Sequence, residues 1–140
     1  MISAEQVQQK KITSITFSRW GESDYDLGGF SCKNAANEES ELFGFKKYEF
    51  ETITLKNQPI ESIQVVKKNE DYLRGLRITY RNGRSQIANS TTGIEQGQVT
   101  FKEGDELVGF TVVCTSPEDK RCRKIGFTIM RRKGNGYEVI

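Results

Sequence analysis

The residue types that carry most enzyme and metal chemistry are scarce in this sequence. Its 140 residues include no histidine and three cysteines, Cys32, Cys114 and Cys122. Without histidine, the usual base of serine and cysteine nucleophiles is missing, and the cysteines lack the spacing of zinc ligands. Neither a nucleophile elbow nor a glycine-rich phosphate loop occurs. The sequence therefore predicts a protein that is not an enzyme and has no catalytic residues, metal site or cofactor.

Two charged segments remain as candidates for binding. Residues Asp119–Lys124 could hold an anion through charge-assisted hydrogen bonds, or they could form a solvated hairpin tip. Residues Glu22–Asp26 could offer oxygen ligands to Ca²⁺, but they do not complete an EF-hand loop, so a solvated turn is the favoured interpretation. Cys114 and Cys122 could face each other at the base of a hairpin, either bridged or as free thiols.

Composition and charge exclude several partners. The 21 basic residues are nearly cancelled by 19 acidic ones, leaving a formal net charge of +2, which gives no field that favours nucleic acid. No apolar run approaches the ~20 residues of a membrane span. The N-terminal residues lack the apolar core of a signal peptide. We expect a single domain over residues 1–140 that is cytoplasmic by default, with a processed, secreted product left open.

The elements that must position any site are strands. In Ser14–Ser18, Leu76–Tyr80 and Ile125–Ile129, apolar side chains alternate with small or charged ones, which is typical of half-buried β-strands. Helical periodicity is weak, and Asn34–Leu42 is interpreted as a loop with at most one turn. The sequence predicts an all-β protein.

An internal repeat organises these strands. Ile53–Lys56 followed by Ile60–Val66 matches Val99–Lys102 followed by Leu107–Val113, and we interpret each pair as a β-hairpin. Each pair then leads through a polar loop into a further strand, a glycine-containing turn and a short closing strand. Two four-stranded units are therefore predicted.

A third copy lies at the N-terminus. Ser14–Gly21 matches Gly75–Asn82, and Gly28–Lys33 would be its closing strand. Only about ten residues precede this copy, too few for a leading hairpin, so the first unit is expected to be incomplete unless Met1–Lys11 complete it. Three small sheets can share one core. We predict a β-prism of three Greek-key-like four-stranded sheets with pseudo-threefold symmetry.

The order of these motifs resembles the jacalin-like lectin family. The segment Leu107–Phe110 is similar to that family's Ile-Val-Gly-Phe strand, and Ile125–Phe127 is similar to its following Ile-Gly strand. The strands Ile60–Val65 and Leu76–Gly83 also match family patterns in the same order. The resemblance runs from about Ile12 to the C-terminus.

The resemblance implies sugar binding at one end of the prism, through a glycine-rich loop and a Gly-x-x-x-Asp loop. Here Asp119 stands in the place of that glycine and Arg123 in the place of that aspartate; Glu70 and Arg74 stand in the equivalent places of the second unit. Arginine only donates hydrogen bonds, so it favours anionic glycans over neutral hexoses. The candidate ligand-binding residues are Gly28, Gly29, Asp119, Lys120, Arg121, Arg123 and Lys124. The Gly28–Gly29 pair could instead serve only as a turn or bulge.

Two functions follow as expectations. The first is a non-catalytic, lectin-like domain that binds a glycan or glycoprotein, with altered or anionic-glycan specificity. The alternative is a structural or protein-interaction module that has lost sugar binding and docks to a partner protein or to copies of itself through an open sheet edge.

Overall fold

A computed structural model describes residues 2–19, 27–41, 43–44, 50–68, 72–91, 93–114 and 122–140. These residues form one helix and eleven strands, so strands dominate as predicted. The elements are α1 (Ala4–Lys10), β1 (Ile12–Arg19), β2 (Leu27–Asn34), β3 (Phe43–Gly44), β4 (Phe50–Thr54), β5 (Ile60–Lys67), β6 (Leu73–Tyr80), β7 (Ser85–Asn89), β8 (Ile94–Thr100), β9 (Glu106–Cys114), β10 (Cys122–Lys133) and β11 (Gly136–Val139).

The strands form three antiparallel sheets. The first has the order β3-β2-β1-β4 and the second β7-β6-β5-β8, so in both the fourth strand returns to pair with the first, as in a Greek key. The third sheet has the order β11-β10-β9. The predicted all-β fold of three antiparallel sheets is confirmed, with a Greek-key order in the first two. The incomplete unit, however, is the last one: the first sheet has four strands, and among the described residues no fourth strand pairs with β9.

The predicted hairpins are wrong, because the repeated segments connect different sheets. Strand β4 pairs with β1 and not with β5, and β8 pairs with β5 and not with β9. Likewise, the structural counterpart of β1 in the second sheet is β5 and not β6. Both β1 and β5 are the first strand of a Greek key. Apolar alternation around a turn looks the same in a hairpin and in a crossover between sheets, so the sequence pattern alone does not separate the two.

Six β-bulges repeat around the prism, two in each inner pair of strands. Near the start of β1, β5 and β9, the register shifts leave one extra residue on the strand, respectively Thr13, Glu61 and Val108. Near the start of β2, β6 and β10, the extra residue is Gly28, Arg74 or Arg123. A bulge increases local twist and bends a strand. Because these bulges lie at equivalent positions in the three sheets, they support the threefold repeat.

The three sheets share one apolar interior. Ile15 of β1 and Ile63 of β5 are fully buried, and Leu107 of β9 is 3% exposed. The Phe30 and Phe110 rings join the first and third sheets edge to face, with centroids 4.9 Å apart. Each large apolar side chain buried in this way stabilises the fold by about 1.5–3 kcal/mol.

Helix α1 packs on the third sheet, and the sequence pattern does not predict it. The Ser3 hydroxyl accepts a bond from the Gln6 backbone N–H, and the Gln6 side chain accepts one from the Ser3 N–H, which is a capping box. Val7 is fully buried against Met130 and Tyr137. Ile2 pairs with Tyr137. The N-terminal residues therefore pack on the third sheet and do not complete the first.

The prism has two distinguishable ends. Ile12, Ile60 and Glu106 line one cavity, so the three inner strands β1, β5 and β9 begin at the same end, which we call the basal end. Their antiparallel partners β2, β6 and β10 begin at the opposite end, which we call the apical end. In the part of the chain that the structure describes, no helix is long and apolar enough to cross a membrane.

Candidate functional site

The Gly28–Gly29 pair lies at the apical end inside β2 and forms part of a bulge. Ser18 pairs with Gly29 and Arg19 with Leu27, which leaves Gly28 as the extra residue. Both glycines are buried. The Gly29 N–H donates to the buried Ser18 hydroxyl at 3.1 Å. The pair thus has the structural role of a bulge, and its part in ligand binding stays a prediction.

Arg123 and Lys124 lie at the start of β10, also at the apical end. Cys122 pairs with Cys114 and Lys124 with Val113, so Arg123 is the bulged residue. Arg123 is half-buried and Lys124 is exposed. The backbone positions of Cys114 and Cys122 face each other as predicted. Asp119, Lys120 and Arg121 lie outside the described residues, as do Glu70 and the proposed Ca²⁺ segment Glu22–Asp26.

The equivalence of Arg74 and Arg123, inferred from the repeat, agrees with the strand registers. Arg74 is the bulged residue at the start of β6, in the same position as Arg123 in β10 and Gly28 in β2. A bulge re-aims a side chain relative to a regular strand and is common beside binding sites. The apical end therefore carries two arginines and one glycine at symmetry-equivalent bulges.

A cluster of aromatic rings connects the strands that carry two of these candidates. Phe30 of β2 contacts Phe110 of β9, and Phe110 contacts Phe127 of β10 at a centroid distance of 5.5 Å. Both pairs are edge to face, which is the favoured geometry for packed rings. Because β2 and β10 start at the same end, Gly28 and Arg123 both lie on the apical side of this cluster. The structure thus brings the two candidate segments to one end of the molecule.

Comparison with known proteins supports the fold class. No protein-family model matches the sequence, and no curated protein matches it. A prostate-specific WGA16 glycoprotein lectin has a similar structure, with a TM-score of 0.64 and 19% identity over 86% of this chain and 83% of that one. The structure of PirB is also similar, with a TM-score of 0.63 and 15% identity over 93% of this chain, which spans 29% of PirB. At these identities the likeness establishes the lectin-like, three-sheet fold.

Proposed function

We propose that this chain is a non-catalytic, lectin-like domain whose apical end binds anionic glycans. The observation that carries the proposal is the repeated bulge, which puts Arg74 and Arg123 in equivalent positions at the apical end. Guanidinium groups form strong, charge-assisted hydrogen bonds with sulfate and carboxylate groups. The exposed Lys124 adds a cation beside Arg123. The predicted residues Gly28, Gly29, Asp119, Lys120 and Arg121 complete the proposed binding set.

The fold likeness adds support of a different kind. The similar structure with the higher TM-score is described as a glycoprotein lectin, and its chain is matched over most of its length. That protein's ligand is not thereby this protein's ligand, since at 19% identity only the fold is shared. The choice of an anionic rather than a neutral glycan rests on the two arginines alone.

A glycan array followed by titration of the hits tests this proposal. Sulfated and sialylated glycans should bind saturably, and the affinity should fall as the salt concentration rises, because salt screens exposed charges. Arg123→Ala and Arg74→Ala should each weaken binding, while Arg84→Ala, an exposed arginine in the basal turn after β6, should not. Absence of saturable binding to any glycan at millimolar concentration would refute the proposal.

A second candidate function, strand addition at the third sheet, rests on the edge of β9 with which no described strand pairs. In the first two sheets β4 and β8 occupy the position beside β1 and β5, whereas among the described residues no strand pairs with that side of β9. A groove of about 270 Å³ lies there, lined by Phe43, Gly109 and Phe110. An unpaired edge of this kind is a template for another strand. The occupant we propose is β9 of a second copy, paired antiparallel about a twofold axis.

Light scattering over a range of concentrations tests this second candidate. A dimer should form, and Thr111→Lys, which puts a charge on an exposed position of β9, should dissociate it. Gln98→Lys is the matched control, because Gln98 is equally exposed on β8 of the complete second sheet. A strictly monomeric protein at all concentrations would contradict it.

A further inference from the structure

We infer that the cavity at the basal end is a second ligand site, which takes a neutral polyhydroxylated molecule of about monosaccharide size. This site does not depend on the proposed apical site, because it lies at the opposite end of the strands. The cavity has a volume of about 340 Å³, which is within the ~300–1,000 Å³ typical of small-molecule sites. Residues of the first crossover, 55–59, line it together with residues at the starts of β1 and β9.

The inner wall of the cavity is apolar. Ile12, Leu55 and Leu107 line it, with exposed fractions of 8%, 9% and 3%. These three side chains come from the first sheet, the first crossover and the third sheet. Small-molecule sites typically combine such an apolar surface with a few polar groups. The C–H face of a sugar ring or cyclic polyol is suited to this surface.

The rim supplies both donors and acceptors for hydroxyl groups. The Lys11 ammonium donates to the Asn57 Oδ1 at 3.4 Å, and the Glu106 carboxylate accepts from the Gln8 amide at 3.4 Å. Both contacts are at the long end of hydrogen-bond distances, and both involve exposed or half-buried side chains. Ligand hydroxyls at normal distances can therefore replace these contacts at little cost.

Charge at the rim favours a neutral ligand. Asp105 also lines the cavity, but its carboxylate is already held by Arg131 at 2.9 and 2.7 Å and by the Lys102 N–H at 2.8 Å. The remaining charged groups are two ammonium groups, on Lys11 and Lys56, and the Glu106 carboxylate. One excess positive charge on exposed and half-buried side chains is too little to select a phosphate. A hydroxyl, which donates and accepts, can use all of these groups.

Hydrogen bonds hold the start of the crossover that forms the outer wall. The Leu55 N–H donates to the Thr13 carbonyl at 2.8 Å, and the Lys56 N–H donates to the buried Tyr80 hydroxyl at 3.0 Å. The Gln86 amide donates to the Thr54 carbonyl at 2.9 Å. A wall fixed in advance lowers the entropic cost of binding. The cavity is therefore formed before any ligand arrives.

NMR titration of the ¹⁵N-labelled chain with neutral hexoses and inositol tests the inference. The backbone amides of residues 54–58, 60 and 105–107 should shift saturably, with a dissociation constant in the range of about 1–10 mM for so small a ligand. Asn57→Ala and Glu106→Gln should each weaken binding about fivefold or more. Glu103→Gln, an equally charged change at an exposed basal position outside the cavity, should leave the dissociation constant unchanged.

Three outcomes would overturn the inference. One is the absence of saturable shifts at these amides up to ~100 mM sugar. Another is saturation by inorganic phosphate but not by neutral sugars, which would make the cavity an anion site. The third is an equal loss of affinity in Asn57→Ala, Glu106→Gln and Glu103→Gln. Shifts confined to amides near Gly28 and Arg123 would also reject the basal site, and they would contradict the anionic specificity proposed for the apical end, so the two sites are tested separately.

Discussion

The two crossovers of this chain share a backbone path but are held by different side chains. The chain leaves the first sheet through Thr54-Leu55-Lys56 and the second through Thr100-Phe101-Lys102. The Leu55 N–H donates to the carbonyl of the bulged Thr13, and the Phe101 N–H donates to the carbonyl of the bulged Glu61, both at 2.8 Å. This repeated bond joins each crossover to the sheet it leaves.

The side-chain contacts differ in kind. At the first crossover, a neutral pair, Tyr80 and Gln86, bonds the Lys56 N–H and the Thr54 carbonyl. At the second, the charged pair of Asp105 and Arg131 bonds the Lys102 N–H. We call these the neutral clamp and the charged clamp. The fold thus repeats through backbone bonds and apolar contacts, and the polar side chains are free to diverge.

Removing the apolar anchor of each crossover should have the largest effect. Phe101 is 2% exposed and Leu55 is 9% exposed. Phe101→Ala should lower the free energy of unfolding by about 4 kcal/mol and Leu55→Ala by about 3 kcal/mol, because the larger side chain leaves the larger cavity. Urea unfolding measures both values. A loss below about 1 kcal/mol at either position would show that the site repacks and that the anchors are not equivalent.

Breaking the charged clamp should have the next largest effect. The Asp105 side chain has no exposed surface, while that of Arg131 is 31% exposed. Arg131→Ala would leave a buried carboxylate with only the Lys102 N–H as its known donor, so we expect a loss of about 2–3 kcal/mol. The neighbouring exposed Arg132 is the matched control, and Arg132→Ala should change stability by less than about 0.5 kcal/mol. Similar losses in both variants would contradict a specific role of the clamp.

Breaking the neutral clamp should cost less. Tyr80→Phe keeps the buried ring and removes only the hydroxyl, and the Lys56 N–H retains a second acceptor in the Gln86 Oε1 at 3.3 Å. The hydroxyl also donates to the Gln86 Oε1, so the substitution removes two hydrogen bonds, and we expect a loss of about 1–2 kcal/mol. If Tyr80→Phe cost as much as Arg131→Ala in the same urea experiment, the two clamps would be equally strong and the comparison would fail.

The sequence predicts the strands of the fold better than it predicts the connections between them. The alternation in Ser14–Ser18 locates β1 correctly, because one face of the strand is buried. The repeated Thr-x-Lys segments are visible in the sequence, but their pattern predicts hairpins that do not form, because pairing partners depend on contacts far away in the chain. Helix α1 was missed although Ser3 and Gln6 form a recognisable capping-box pattern, because its single buried residue, Val7, gives no helical period.

The two candidate sites were predictable to different degrees. Arg123 is predicted from the family resemblance, in which it stands in the place of an aspartate, and the strand registers put it and Arg74 at equivalent bulges. The basal cavity had no such signal. Lys11, Asn57 and Glu106 are far apart in sequence and share no motif, and they meet only because the inner strands of the sheets start at one end. Sites of this kind follow from topology rather than from local pattern.

The smallest and most specific effect should appear in the dependence of stability on pH. Burial acts to raise the pKa of Asp105. Hydrogen bonds from Arg131 and from the Lys102 N–H, together with the positive charges of the Arg131 and Lys102 side chains, outweigh burial and lower the pKa. The pKa of Tyr80 is raised, because burial raises it by more than the hydrogen bond from the Lys56 N–H lowers it. The two clamps therefore respond to opposite ends of the pH scale.

The sign of each effect follows from proton linkage. A lowered carboxyl pKa stabilises the folded state above the unfolded value of about 3.9, and this contribution is lost as the pH falls through the folded value. A raised tyrosine pKa stabilises the folded state below about pH 10, and this contribution is lost as the pH rises further. Urea midpoints across this range should show Asp105→Asn losing part of the acid dependence and Tyr80→Phe part of the alkaline dependence. If each variant changed the acid and the alkaline dependence alike, the two clamps would be coupled through the fold. The comparison of the crossovers, which assumes that the clamps are independent, would then fail.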